Sequence, residues 1–169
     1  GGERRNLAVL ICDLVGSTEL ATRIDPEDLG RILEDIQERC AAAIAAQAGY
    51  VAQYLGDGVV AYFGYPTARE NPVADAVRAA GQIHFAMNAL SGPDASRLAV
   101  RIGIAHGLVV VGAVASRDGH ANVVGDTPNL AARLQAIAPA GGTVISDSAR
   151  APVDAVCAIA HYGIHTLRG

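Results

Sequence analysis

Residues 7–18 read Leu-Ala-Val-Leu-Ile-Cys-Asp-Leu-Val-Gly-Ser-Thr. Six apolar residues in a row, with no helical stripe, predict a short central strand buried on both faces and set Asp13 at its end. Gly16, Ser17 and Thr18 then lead into a helix, a place where backbone N–H groups can hold phosphate. Moving outward, Asp25-Pro26 supplies an N-cap and a first-turn proline. Leu29, Ile32, Leu33, Ile36, Cys40 and Ile44 follow at three-to-four spacing, and Gly49 stops that helix. Residues 50–55 and 59–63 are β-rich runs around Gly56-Asp57-Gly58, so Asp57 tips a hairpin. A second amphipathic helix is expected over residues 68–90. Residues 98–105 and 108–114 read as two strands joined around His106-Gly107, a second hairpin. Thr127-Pro128 opens a helix that ends before the Pro139-Ala140-Gly141-Gly142 segment, and residues 144–145 and 159–162 are weaker strands.

This order predicts an α+β, ferredoxin-like sandwich, with helices on one face of a largely antiparallel sheet. The other face is then bare and apolar, and a second subunit is the economical cover.

The 169 residues, 51% hydrophobic and 18% charged, fit one domain able to bury a core without staples. All 13 basic residues are arginine, which excludes a P-loop NTPase, and the net charge of −4 leaves no electrostatic footprint for duplex nucleic acid. Cys12, Cys40 and Cys157 are odd in number and widely spaced, so they read as small core residues of a reduced compartment. No apolar run reaches membrane-helix length and the start lacks a signal-peptide stretch, so a cytoplasmic domain without membrane contact is expected.

Three segments carry chemistry. Asp13 and Asp57 can converge where the first strand meets the hairpin, and two convergent carboxylates suit Mg²⁺ shared with substrate phosphates. Residues 14–18 (LVGST) would place a phosphate cradle directly beside that cation. In residues 122–134 (NVVGDTPNLAARL), Asn129 and Arg133 are four apart, which sets an amide and a guanidinium on one helix face while Leu130, Ala131 and Leu134 point inward. Each feature taken singly also has an ordinary structural reading. Asp13 can cap the Ser17/Thr18 turn, Asp57 can be a turn former, and Asn129 and Arg133 can be solvated helix residues.

In combination, the segments DLVGST, QYLGDGVVAYFG (53–64) and NVVGDTPNLAARL resemble, in order, the signatures of the class III nucleotidyl cyclase catalytic domain. The resemblance implies a ferredoxin-like unit that pairs head to tail as a homodimer with shared active sites, acting on a nucleoside triphosphate. It implies two Mg²⁺ or Mn²⁺ ions on Asp13, Asp57 and the carbonyl of Leu14, with Val15, Gly16, Ser17 and Thr18 at the phosphates. From the other subunit, Asn129 would orient the ribose and Arg133 would stabilise the pentavalent phosphorus. Arg168 resembles the family's basic residue near the triphosphate, and a terminal solvated arginine is the equal alternative. The reaction implied is attack of the ribose 3′-oxygen on the α-phosphorus, which needs no histidine base.

The purine-selecting positions depart from the family pattern. Adenylyl cyclases typically carry lysine and an aspartate or threonine there, and guanylyl cyclases glutamate with cysteine; here stand Gln53 and Asn122, both neutral amides. Either can donate or accept, so the expectation is an adenylate cyclase with relaxed purine selectivity. One rival is a catalytically degenerate nucleotide-binding or dimerisation module. Another is a diguanylate cyclase, but the Leu-Gly-Asp-Gly-Val hairpin lacks that family's acidic motif. Pro128 stands where the family commonly has valine, and a first-turn position tolerates it. The chain closes on Leu167-Arg168-Gly169, where relatives continue into one more strand, so a single-domain fragment of a longer protein is expected.

Overall fold

The apolar run at residues 7–12 lies in β1 (Glu3–Leu14), which has a strand on each side. The computed structural model describes residues 2–90, 98–115 and 121–149. Within them β1 is followed by α1 (Ser17–Arg23), α2 (Pro26–Ala46), β2 (Tyr50–Leu55), β3 (Gly58–Phe63), α3 (Pro72–Asn88), β4 (Val100–Ala115), β5 (Ala121–Val124), α4 (Asp126–Ile137) and β6 (Thr143–Ile145). The sheet order is β2-β3-β1-β4-β5, with β6 alongside β4. All pairings are antiparallel except β4 with β6. The first four strands and the two helix-bearing crossovers therefore form the split βαβ arrangement of ferredoxin-like domains.

Two faces of one strand explain the core. Ala8, Leu10, Cys12 and Leu14 point to a layer built with Ile36, Cys40 and Ile44 of α2 and Val73, Ala76, Ala80, Ile83 and Met87 of α3. Leu7 and Val9 point the opposite way, into a second layer with Ala131, Leu134 and Ala138 of the α4 region. Cys12 and Cys40 are buried free thiols in the first layer, as the sequence implied; Cys157 lies outside the described residues.

Local chemistry explains the helix ends. Asp25 caps α2 by accepting from the Glu27 N–H at 2.8 Å, and Asn71 caps α3 by accepting from the Ala74 N–H at 3.1 Å. That asparagine, followed by a proline at the first turn, starts α3 at Pro72 rather than near residue 68. At the end of α2 it is Ala48, at φ 57°, that takes the left-handed turn. Gly49 is needed for space, because a Cβ there would meet the Phe63 and Ile44 side chains.

The sequence reading is corrected at two points. His106-Gly107 is not a turn: β4 runs unbroken through it, paired with β1 from Leu14↔Val100 to Glu3↔Val111. Gly107 serves packing instead, since a Cβ there would lie 2.7 Å from Thr127 Oγ1 at the start of α4. The hairpin expected there is therefore not formed, and β4 instead pairs antiparallel with β5. The helices also do not all share one face, because α4 lies on the face opposite α2 and α3. It sits there because Gly103 of β4 has no side chain; a Cβ would collide with the Ala131 carbonyl oxygen and the Gln135 nitrogen. Over β2 and β3 that same face is closed by Tyr50, Tyr62 and Tyr65, with Tyr65 edge-on to Tyr50 at 5.2 Å between ring centroids. Among the described residues no helix is long and apolar enough to cross a membrane. The weak strand at 144–145 is β6, and the strand expected at 159–162 lies outside the described residues.

Candidate functional site

β1 ends beside the β2–β3 turn. Asp13 pairs in register with Gly58, and the Leu14 N–H donates to the Asp57 carbonyl at 2.9 Å, so the two acids sit on adjacent corners of one crossing. This closeness depends on Gly58, which is buried against β1: a Cβ there would collide with the Cys12 carbonyl oxygen. From α2, Gln37 Nε2 donates to the Leu55 carbonyl at 2.6 Å and fixes the entrance to the turn.

Each carboxylate is held by one neutral donor. Ser17 Oγ donates to Asp57 Oδ2 at 2.7 Å, and Gln135 Nε2 donates to Asp13 Oδ1 at 2.6 Å. Burial and the neighbouring Asp57 charge push the Asp13 carboxyl above its ordinary value, while Arg101 and the Gln135 hydrogen bond pull it back. Arg101 faces Asp13 from β4, and its Nε is buried with no hydrogen-bond partner among the described residues.

Two repelling acids in a partly desolvated corner suit a hard divalent cation. Among the described residues no group of three or more His, Cys, Asp and Glu side chains gathers anywhere. A cation at this corner would therefore rest on Asp13, Asp57 and main-chain oxygen such as the Leu14 carbonyl. The rest of its shell would come from water or substrate phosphate, which is the usual habit of Mg²⁺.

The Asp13 titration has a consequence for stability. Its folded value is raised, so the stability it contributes is present at low pH and lost as pH rises through that value. With chelator present, the wild-type melting temperature is expected to carry a component that falls as pH rises from the ordinary carboxyl value of about 4 through the raised value of Asp13. Asp13→Asn should flatten that component; identical pH profiles for the two proteins would remove the assignment.

Gly16, at φ 71°, forms the left-handed N-cap of α1 without a side-chain cap, and Ser17 turns back onto Asp57. Val15 donates its N–H to the Ala99 carbonyl at 2.8 Å, so that group is already committed to the sheet, and Thr18 is exposed. Gln53 is exposed on β2 and pairs with Val60 just after a register shift. Asn122 belongs to β5, with its side chain outside the described residues; Arg168 lies wholly outside them.

On α4 the buried stripe is Thr127, Ala131 and Leu134. Asn129 stands about 200° from Ala131 and so lies on the far side of the helix from the sheet, whereas Arg133 stands only about 100° from Leu134 and flanks the buried stripe, with its Nε buried. Asn129 is exposed and Arg133 half-buried. Within one chain Asn129 thus points away from the face of α4 through which Gln135 reaches Asp13. Sequence reasoning missed Gln135 and Arg101. The first differs from any solvated glutamine only once α4 is seated on the sheet. The second had a signal: an arginine inside the apolar strand Val100–Ala115.

The chain matches the family model of the adenylate and guanylate cyclase catalytic domain over residues 2–169. An uncharacterised protein of Rhizobium meliloti is 34% identical over 100% of this chain and 17% of its own length. An adenylate cyclase of Streptomyces coelicolor is 33% identical over 83% of this chain and 32% of its own length. The chain thus spans a third or less of these curated relatives. Among solved structures, the guanylyl cyclase Cya2 superposes with a TM-score of 0.85 at 28% identity, covering 100% of this chain and 87% of that one.

Proposed function

Because the chain belongs to the adenylate and guanylate cyclase catalytic domain family, we propose that two copies pair to convert ATP, with GTP as a second substrate, to the 3′,5′-cyclic nucleotide and pyrophosphate. The observation that carries this reading is the geometry of α4. Asp13 and Asp57 meet on the sheet side of that helix while Asn129 is exposed on its outer side, an arrangement that supports a site completed by a second copy.

Asp13, Asp57 and the Leu14 carbonyl would hold two Mg²⁺ or Mn²⁺ ions, whose Lewis acidity when bound makes the ribose 3′-hydroxyl a better nucleophile and screens the triphosphate. Ser17 keeps the Asp57 carboxylate turned into the site. Arg101 pairs in register with Asp13, and its positive charge offsets part of the repulsion between the two acids. From the second copy, Asn129 orients the ribose, and Arg133 places its guanidinium where negative charge grows on the α-phosphoryl group. The backbone at Gly16, Ser17 and Thr18 would lie along the phosphates, with Val15, whose N–H is bonded to the Ala99 carbonyl, holding that loop to the chain before β4, and Arg168 would reach the triphosphate end. No histidine is assigned to this chemistry. His84, for example, is bonded to Thr143 Oγ1 at 2.8 Å between α3 and β6.

Gln53 and Asn122 read the purine. Two amides can each rotate to suit either base edge, so rejection of the wrong base is weak. The double change Gln53→Lys with Asn122→Asp is expected to raise the ATP-to-GTP preference about tenfold, because a fixed donor and a fixed acceptor leave guanine unpaired. An unchanged ratio of kcat/KM would show that these positions do not read the base.

The deciding experiment is incubation of the purified chain with Mn²⁺ and ATP or GTP, with products identified by mass. A cyclic mononucleotide, more from ATP than from GTP, is expected; a linear dinucleotide would overturn the reading. Binding without any product would point to the second reading, a nucleotide-binding module, which the neutral Gln53/Asn122 pair favours.

A further inference from the structure

We propose that Gln135 is a positioning residue that orients the cation-holding carboxylate of Asp13 within its own subunit; this rests on the shared-site reading above. The contact is specific. Gln135 Nε2 lies 2.6 Å from Asp13 Oδ1, within hydrogen-bond reach and shorter than the usual N–H···O bond. The base of the side chain is fixed as well as its tip, because the Gln135 backbone nitrogen is pressed against Gly103 of β4. Gln135 thus reaches Asp13 from a helix whose distance from the sheet is set by main chain.

The pattern of donors gives this contact its meaning. Ser17 takes one oxygen of Asp57 and Gln135 takes one oxygen of Asp13, which leaves the second oxygen of each free to face a cation between them. Both donors are neutral. A lysine at position 135 would cancel the charge that draws the cation, whereas an amide fixes the carboxylate plane and keeps its charge.

The test separates this role from a general packing role. Nucleotide-free Gln135→Leu is expected to bind Mn²⁺ about five- to tenfold more weakly than wild type, read as free Mn²⁺ by electron paramagnetic resonance. If the leucine variant does not fold, Gln135→Asn, one methylene too short to reach Asp13, is expected to show the same loss. Unchanged Mn²⁺ affinity in a folded variant overturns the proposal.

A second arm uses mixtures of Asp13→Ala and Arg133→Ala chains, in which a mixed dimer has one complete site. Adding Gln135→Leu to the Arg133→Ala chain, which supplies Asp13, is expected to raise the Mn²⁺ needed for half-maximal rate about tenfold. Adding it to the Asp13→Ala chain should change nothing, since that glutamine has lost its partner. Equal effects in both positions overturn the proposal in favour of a packing role. If the mixture regains no activity, the shared-site reading fails instead, and the Mn²⁺ affinity alone decides for Gln135.

Discussion

Asp57→Ala is expected to lower cyclic-nucleotide formation by at least about a thousandfold while leaving the fold intact. Asp57 lies in a two-residue turn, half-buried, and its side chain accepts a single hydrogen bond from Ser17. Its removal costs one partly exposed hydrogen bond, about 1 kcal/mol, and relieves the repulsion that, after burial, helps to raise the Asp13 carboxyl. The folding core is elsewhere, in the layers beneath α2, α3 and α4. Activity should therefore vanish with little change in melting temperature. Mixing this variant with Arg133→Ala should restore activity to about a quarter of wild type if chains exchange freely, because half the dimers are mixed and each has one complete site. A mixture as inactive as its parts, under conditions where exchange is measured directly, would falsify the shared site.

Gly58→Val should act the opposite way, through the fold first. Gly58 begins β3, is buried and pairs with Asp13, and any Cβ there collides with the Cys12 carbonyl oxygen and the Asp13 Cα. Neither neighbour can yield, because both belong to the main chain of the central strand. A loss of about 3 kcal/mol or more is expected, a drop of about 6–12 °C in melting temperature for a domain of this size. The control lies two residues away: a Cβ on Gly56 meets nothing within 4 Å, so Gly56→Ala should melt within about 1–2 °C of wild type. If the two substitutions were equally harmful, turn conformation rather than strand contact would be the cause.

Much of this architecture is legible in the chain because local rules coincide with tertiary ones. An uninterrupted apolar run, Asp25-Pro26 before a periodic helix and Gly-Asp-Gly between β-rich runs each have one dominant solution, and β1, α2 and the β2–β3 hairpin adopt it. His106-Gly107 was misread because a glycine in a β pattern has two uses, turning and making room, and only the position of α4 tells them apart. The site divides in the same way. Asp13 and Asp57 are legible since strand end and hairpin tip are fixed by local pattern. Gln135 and Arg101 owe their place to register and helix seating: Arg101 faces Asp13 only through the β1–β4 pairing, and Gln135 reaches it only because α4 crosses to the second face.

Gly103 carries this reasoning to a last point. Helix α4 and strand β4 touch there main chain to main chain, with no side chain as a spacer. Side-chain contacts can absorb a change by switching rotamer, but abutting backbones have no such slack. The thinnest seam of the domain is thus its least adjustable one, and even the smallest methyl group inserted there would act as a wedge, tilting the acid-facing and outward-facing sides of α4 by the same motion.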